Sequence, residues 1–309
     1  MAKISLRPMG EENWSAVAEL IHTSTNGWYE AHGHAPAFAC GPTDLEVFCR
    51  VYETLDPGCC ILAVDEDSER ILGSCFYHPR PTHFALGIMN AHPDAFGRGI
   101  ARRLLSFVTD LAAQENKPVR LVSSTMNLDS FSLYNRAGFT PFAIYQDMNL
   151  EVPAAGLRNR PQGHKRARDA TTEDIKAMVH LESELVGIDR RKDFEYFIAN
   201  ADGIWHSSVL EGDDGVLSGF LVSVADPGCN MLGPGVMRSV SDTLVLLARE
   251  LDHHRGRSPT FLLPADQPDL TAAVYAWGGR NCEMHFGQVL GRAMRPRGVV
   301  MPTFLPESG

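Results

Sequence analysis

The sequence predicts a mixed-sheet α/β fold, built twice in tandem along 309 residues. Three observations carry that prediction. Strand-like segments follow one another in the middle of the first half and alternate with helical ones toward its end, as in a mixed sheet with helices on both faces. A Pro/Gly-rich stretch divides the chain near its midpoint. The segments on either side of it repeat in the same order.

The first half opens on a short strand, Ile4-Ser5-Leu6-Arg7-Pro8, followed by an acidic helix start at Glu11-Glu12. Helices are predicted over 11–25 and 42–55, strands over 59–65 and 70–78 about the acidic turn Asp65 to Glu69, and an apolar strand over 83–90. A helix over 98–114 follows, because Ile100, Leu104, Leu105, Val108, Leu111 and Ala112 recur at helical spacing. A strand over 119–124, a helix over 128–137 and a strand over 141–149 complete the unit. Asn26 to His34, between the first two helices, is rich in aromatic and polar groups and is not expected to form core helix.

Glu151 to Lys165 (EVPAAGLRNRPQGHK) shows neither helical nor strand periodicity and reads as a linker. It separates a domain at 1–150 from one at 166–309. In the second half, Lys165 to Asp169 followed by Glu173-Asp174 matches the opening of the first. Val216 to Leu221 parallels Ile71 to Phe76, and Ala273 to Gly279 parallels Ser132 to Gly138.

Twenty-eight Lys and Arg against 38 Asp and Glu give a formal charge of −10. That balance argues against nucleic acid and anionic membrane as partners, and mildly favours a cationic substrate. The seven cysteines contain no C-x-x-C pair, so neither a disulfide framework nor a ribbon-type zinc site is expected. His22, His32, His34 and Cys40 lack the spacing of a ligand set, and no metal is expected. The first residues hold no apolar core followed by a cleavage site, and no apolar run reaches the roughly 18 residues of a membrane span. A cytoplasmic setting is the expectation.

The chemistry concentrates in His83 to Ala113. An apolar strand ends at Asn90, a turn passes through His92-Pro93-Asp94, and Gly97-Arg98-Gly99 leads into a helix. Such a turn lets backbone approach a ligand closely, and the unpaired amides of the helix start, backed by the positive end of its dipole, suit a phosphate. The spacing is neither that of a P-loop nor that of a full dinucleotide fingerprint.

These residues resemble the acetyl-CoA-binding loop of the GNAT-type N-acetyltransferases, with its pattern Gln/Arg-x-x-Gly-x-Gly/Ala after a strand ending in an apolar-x-Pro turn. Gly99 and Ala101 match the last two places and Ala91-His92-Pro93 matches the turn, while Phe96 stands where the family has Gln or Arg. Downstream, Asn127 to Phe139 (NLDSFSLYNRAGF) is similar to the family's Asn-x-x-Ala-x-x-Leu-Tyr-x-x-x-Gly-Phe. The resemblance implies two tandem GNAT-like acyl-CoA N-acyltransferase domains, the first one binding acetyl-CoA. Met89, Asn90 and Ala91 would pair with the pantetheine arm, and Phe96, Gly97, Arg98, Gly99, Ile100, Ala101 and Arg102 would surround the diphosphate. Asn127 and Tyr134 would complete the cofactor site.

By the same resemblance Tyr134 would protonate the departing thiolate. The attacking amine must be neutral, and the strand over 83–90 carries no Asp or Glu to take its proton. His83 is the candidate base, with His78 nearby. Trp28, Tyr29 and Glu30 would contact the acyl acceptor. The expected reaction is direct acetyl transfer from acetyl-CoA to a primary amine of a small molecule. The rival is a non-catalytic CoA-binding, interaction or sensor protein, motivated by Phe96 and the missing carboxylate.

The second half has no Gly-x-Gly/Ala pair at the helix entrance near Ser239, and Pro268 falls where Asn127 would align. It reads as a degenerate, non-catalytic copy that packs on the first domain, completes its acceptor pocket or forms a homodimer. The tail Arg295 to Pro302 is expected to add an edge strand or to stay mobile.

Overall fold

In the computed structural model, residues 3–158 and 160–307 are described. The first half runs β1 (Ile4–Pro8), α1 (Trp14–Ala31), α2 (Glu46–Leu55), β2 (Cys60–Asp65), β3 (Ile71–Pro79), β4 (Phe84–Ala91), α3 (Ile100–Gln114), β5 (Val119–Ser124), α4 (Leu128–Arg136) and β6 (Thr140–Asn149). The second repeats that order with β7 (Ala167–Asp169), α5 (Ile175–Val186), α6 (Arg191–Ala199), β8 (Trp205–Glu211), β9 (Leu217–Asp226), β10 (Cys229–Met237), α7 (Val240–His253), β11 (Thr260–Pro264), α8 (Pro268–Ala276) and β12 (Arg280–Leu290). One further strand, β13 (Val299–Met301), follows.

The halves share one continuous sheet, ordered β1-β2-β3-β4-β5-β12-β6-β11-β10-β9-β8-β7. Each half therefore gives its last helix-linked strand to the other. β12 lies between β5 and β6, with His285 opposite Ser124 on one side and Tyr145 on the other. β6 in turn reaches β11, with Leu262 opposite Asp147. The exchange closes two sheets into one and leaves neither half with an exposed central edge.

Three cores fill the layers. Helices α1, α2, α5 and α6 bury Val17, Ile21, Phe48, Val51, Met178, Phe194 and Phe197 in a single cluster against Phe76, Phe220 and Val222. Helices α3 and α4 cover the opposite face of the first half through Leu104, Leu105, Val108 and Tyr134. Helices α7 and α8 do the same for the second through Leu246, Leu247, Leu251 and Val274. A helix with one apolar stripe must bury it against a sheet, and the common cluster of α1, α2, α5 and α6 ties the halves together.

Two expectations need correction. Helix α1 continues through Asn26 to Ala31, because the single Gly27 does not break it and its last turn is anchored from outside. Asn26 Nδ2 donates to Phe38 O and Asn26 Oδ1 accepts from Phe38 N, both at 2.9 Å. The segment after β12 does not form an edge: β13 pairs antiparallel with β10 inside the sheet, Val300 opposite Val236. Among the described residues no helix is long and apolar enough to cross a membrane.

Candidate active site

The site begins where two neighbouring strands part. β4 and β5 run parallel but pair only at Phe84 with Val119 and Ala85 with Arg120. Just beyond, β4 bulges: its register against β3 shifts between Tyr77, opposite Leu86, and Cys75, opposite Met89. A bulge bends its strand and ends regular pairing. Gly87 sits at the bend, and a Cβ there would lie 2.8 Å from the Tyr52 ring, so only glycine fits. From Leu86 onward the β5-facing backbone edge of β4 is free to accept an added strand or an extended ligand.

At the mouth of this cleft lies the glycine turn. Gly97 (φ 77°) and Gly99 (φ 76°) both adopt the left-handed region, and Gly99 is the residue preceding α3. The ladder of α3 starts with Arg103 N donating to Gly99 O at 3.1 Å. The amides of Ile100, Ala101 and Arg102 therefore precede any helical acceptor, at the positive end of the dipole. No atom lies within 4 Å of a Cβ built on Gly97, so the turn has an open side. A backbone cradle with free amides, open at Gly97, fits a diphosphate.

The acetyltransferase (GNAT) family matches residues 19–139. No curated protein matches the chain. Among solved structures, a Pyrococcus horikoshii protein with a provisional acetyltransferase designation superposes with a TM-score of 0.73 at 14% identity, covering 98% of this chain and 95% of its own. A GCN5-related N-acetyltransferase from Sphaerobacter thermophilus gives 0.62 at 16% identity, covering 95% and 96%. A tandem GNAT protein from the clavulanic acid biosynthesis pathway gives 0.58 at 14%, covering 93% and 98%. At these identities the likeness shows the fold, a tandem GNAT fold across the whole chain.

Around the glycine turn, the side chains differ in exposure and partners. Phe96 is 77% exposed beside the glycine turn. The Arg98 guanidinium turns back to Asp65 at 3.3 Å, which fixes the loop to the end of β2. Asn90 Nδ2 donates to Ser24 Oγ at 2.7 Å and ties β4 to α1, while Met89 and Ala91 pack toward α3. Asn127 caps α4: its Oδ1 accepts from Ser130 N at 2.9 Å, leaving the amide NH2 as its remaining polar group. Tyr134, 7% exposed on α4, has its phenol pushed well above the ordinary range by burial and by the nearby Cys75 and Glu307.

His83 sits at the closed end of the cleft, before the last β4–β5 pair, and eight residues of strand separate it from the loop, about 25 Å of chain. Its Nδ1 lies 3.0 Å from Thr82 Oγ1, and burial together with Arg80, Arg120 and Arg190 holds its proton affinity well below that of a free histidine. The structure does not bring His83 to the mouth. His78 is also pushed down by burial and is tied to Asp56.

On the other face of the parted strands, the first half meets side chains from the exchanged strands. Tyr29 Oη donates to Glu283 Oε2 at 2.6 Å. Beside it, His285 Nδ1 lies 2.8 Å from Asp147 Oδ1, and Glu283 Oε1 is buried without a partner, 4.0 Å from His285 Nε2. Burial holds the Asp147 carboxyl above the usual range, partly offset by His285. Donor atoms of Asp147, Glu283 and His285 lie within 4.8 Å of one another, as do those of Asp169, His206 and His253 in the second half, and in both sets the histidine already faces a carboxylate. Trp28 stacks on His32 at 4.1 Å, and Glu30 is exposed. Consecutive helical residues point about 100° apart, so Trp28, Tyr29 and Glu30 cannot all face one pocket; Tyr29 is the one that reaches Glu283.

Asp147, Glu283 and His285 were not among the sequence candidates. They come from β6 and β12, and only the strand exchange places them beside α1. The available signal was Glu283-x-His285, which puts both on one face of a strand.

In the second half, β10 and β11 also part after two pairs, Met231 with Thr260 and Leu232 with Phe261. That opening is filled by β13, whose Val299 to Met301 pair with Met237 to Gly235. The start of α7 is closed by Ser239 Oγ, which accepts from Asp242 N.

Proposed function

We propose that the chain is an N-acetyltransferase that moves an acetyl group from acetyl-CoA to a primary amine, with all binding and chemistry in the first-half cleft. The single observation behind this reading is the parting of β4 from β5 after Ala85, with the free amides of residues 100–102 at its mouth. Bound acetyl-CoA supplies an activated carbonyl carbon and a thiol leaving group.

The residues divide the work. The β4 edge from Leu86 to Ala91 holds an extended arm by backbone hydrogen bonds, and the 97–102 turn holds the diphosphate with amides. Asn127 contributes its NH2. Tyr134 holds a proton on its Oη that its raised pKa keeps in place until a thiolate needs it. Tyr29, Glu283 and Asp147 make an acidic acceptor pocket, suited to an amine that arrives as ammonium, because the buried, unpartnered Glu283 Oε1 lacks a donor. The second half acts as scaffold: β13 occupies its own cleft, while β12 builds the acceptor side of the first.

Isothermal titration of the full chain with acetyl-CoA, followed by thiol-release assays with acetyl-CoA and a panel of primary amines, tests this reading. One-to-one binding and amine-dependent thiol release are expected. Binding without release for any amine would favour a CoA-responsive sensor, and no binding would end both.

A further inference from the structure

The reaction assigned above needs a group that removes a proton from the acceptor, and the histidines at the closed end are held away from that role. One carboxylate stands inside the cleft instead. After β13, residues 302–307 leave the second half and cross to the parted strands of the first. Glu307 Oε1 accepts from Val122 N at 3.2 Å. Val122 lies two residues past the last β4–β5 pair, in the part of β5 that β4 abandons.

The segment is held firmly. Glu307 N donates to Tyr52 Oη at 3.1 Å, and Tyr52 Oη donates to Phe304 O at 3.3 Å. Phe304 and Glu307 form an antiparallel bridge, and the Leu305 side chain between them is fully buried. Tyr52 is the same ring that packs on Gly87 at the β4 bulge, so Glu307 stands level with the bend where the strands open. The acceptor pocket adjoins it: the Phe304 ring lies 4.9 Å from the His285 ring, and Ser124, two residues along β5 from Val122, pairs with His285.

On these grounds we infer that Glu307 is the proton acceptor of the transfer, carried into the first-half cleft by the segment that follows the plug of the second. This inference rests on the N-acetyltransferase reading. The N–H bond of the acceptor's ammonium breaks and an O–H bond forms on the Glu307 carboxylate. The electron pair left on nitrogen forms the new N–C bond as the C–S bond breaks with its pair going to sulfur. The nitrogen sheds two protons in all, the first to Glu307 and the second matching the one that Tyr134 Oη gives to sulfur and recovers.

The surroundings suit a base. Glu307 is 4% exposed, and among the described residues no ion pair reaches it. The charged and titratable groups that act on it are Tyr52 of α2, Arg80 after β3 and Tyr134 of α4. Arg80 is already paired with Asp193. Burial raises the Glu307 carboxyl well above the usual range, with Val122 N and Arg80 opposing in part. A carboxylate so placed holds a proton more strongly than a free one.

The test compares the full-length wild type with Glu307→Gln and Glu307→Asp, using acetyl-CoA and a panel of tyramine, spermidine, lysine and kanamycin. Glutamine still accepts from Val122 N, so folding and acetyl-CoA affinity should stay within about twofold. The expected result is a kcat lower by about 100-fold in Glu307→Gln, with loss of the limb of kcat/KM that rises toward alkaline pH, and partial recovery in Glu307→Asp. Independently of turnover, infrared difference spectra should show a carboxyl band in the wild type that titrates above the ordinary carboxylate range and is absent from Glu307→Gln. Unchanged kcat and pH limb in Glu307→Gln, a rise in its rate, or no such carboxyl band would overturn the assignment while leaving the transferase reading intact. A wild type that releases no thiol with any amine would overturn both.

Discussion

Arg80 of the first half and Asp193 of the second are joined by a buried ion pair, Nη2 to Oδ2 at 2.5 Å, with 1% and 0% of their surfaces exposed. Removing one partner strands the other's charge away from water. Asp193→Ala should therefore cost about 3–5 kcal/mol, read as a lower urea midpoint, while the double change Arg80→Met with Asp193→Leu should recover most of it. A loss below about 1 kcal/mol for Asp193→Ala would mean that Glu182, which pairs with Arg190 and also acts on Arg80, takes over the guanidinium.

The strand exchange makes the halves inseparable. β12 supplies neighbours to both β5 and β6, Val289 pairing with Arg120 and with Thr140. A fragment ending at residue 150 loses β12 and leaves both strand edges bare, along with the apolar cluster shared by α1, α2, α5 and α6. Such a fragment should aggregate or show no protected amides in hydrogen exchange. A monomeric fragment with protected β5 amides would show that the first half closes its sheet unaided.

How far the sequence carried this architecture depends on the range over which each signal acts. Periodicity is local, and it located α3 within two residues, because the stripe Ile100, Leu104, Leu105 and Val108 needs no partner to be read. The glycine turn was legible for the same reason: a left-handed residue before a helix is a property of a few neighbouring dihedrals. Strand order is set by contacts far apart in the chain, so the exchange of β6 and β12 was not legible, and with it Asp147, Glu283 and His285 stayed hidden. Glu307 was missed for a related cause, since the tail's destination depends on β13 first filling the gap beside β10.

Backbone geometry at the glycine turn gives a direct test of the cofactor cradle. At Gly99 the φ of 76° disfavours any side chain, and a β-branched one most. Gly99→Val should lower stability by about 1–2 kcal/mol and weaken acetyl-CoA binding at least about tenfold, measured by thermal shift and titration on the same sample. Lost stability with unchanged affinity would place the diphosphate elsewhere.

His254 gives the fold an acid limit. It is 1% exposed, with Nδ1 2.7 Å from Asn230 Oδ1, and burial lowers its pKa to about 4 despite the opposing pull of Glu250. A histidine whose pKa falls on folding favours the native state only while neutral. Its contribution is complete above pH 6.5, the unfolded value, and is lost progressively as pH falls toward 4, by about 3 kcal/mol in all. Urea midpoints of the wild type and His254→Gln between pH 7 and pH 4 check this, with a flatter profile expected for the variant. Parallel profiles would assign the acid sensitivity to other groups.

Tyr134 and Glu307 approach the cleft from opposite faces, Tyr134 from α4 in the core beneath α3 and Glu307 beside Tyr52 of α2, and each lies close enough for the Glu307 charge to raise the Tyr134 phenol. One is placed to give a proton to the leaving sulfur and the other to take one from the entering nitrogen. Tyr134→Phe keeps the packing against Phe139, whose ring centroid lies 5.7 Å away, and removes only the hydroxyl. It should lower kcat by about 100-fold or more with acetyl-CoA affinity unchanged, and its deficit should shrink for acyl donors whose thiol is more acidic. Because both groups serve one transfer, adding Glu307→Gln to Tyr134→Phe should cost much less than the product of the two single losses. Full multiplicativity in that cycle would mean the two residues act in separate steps.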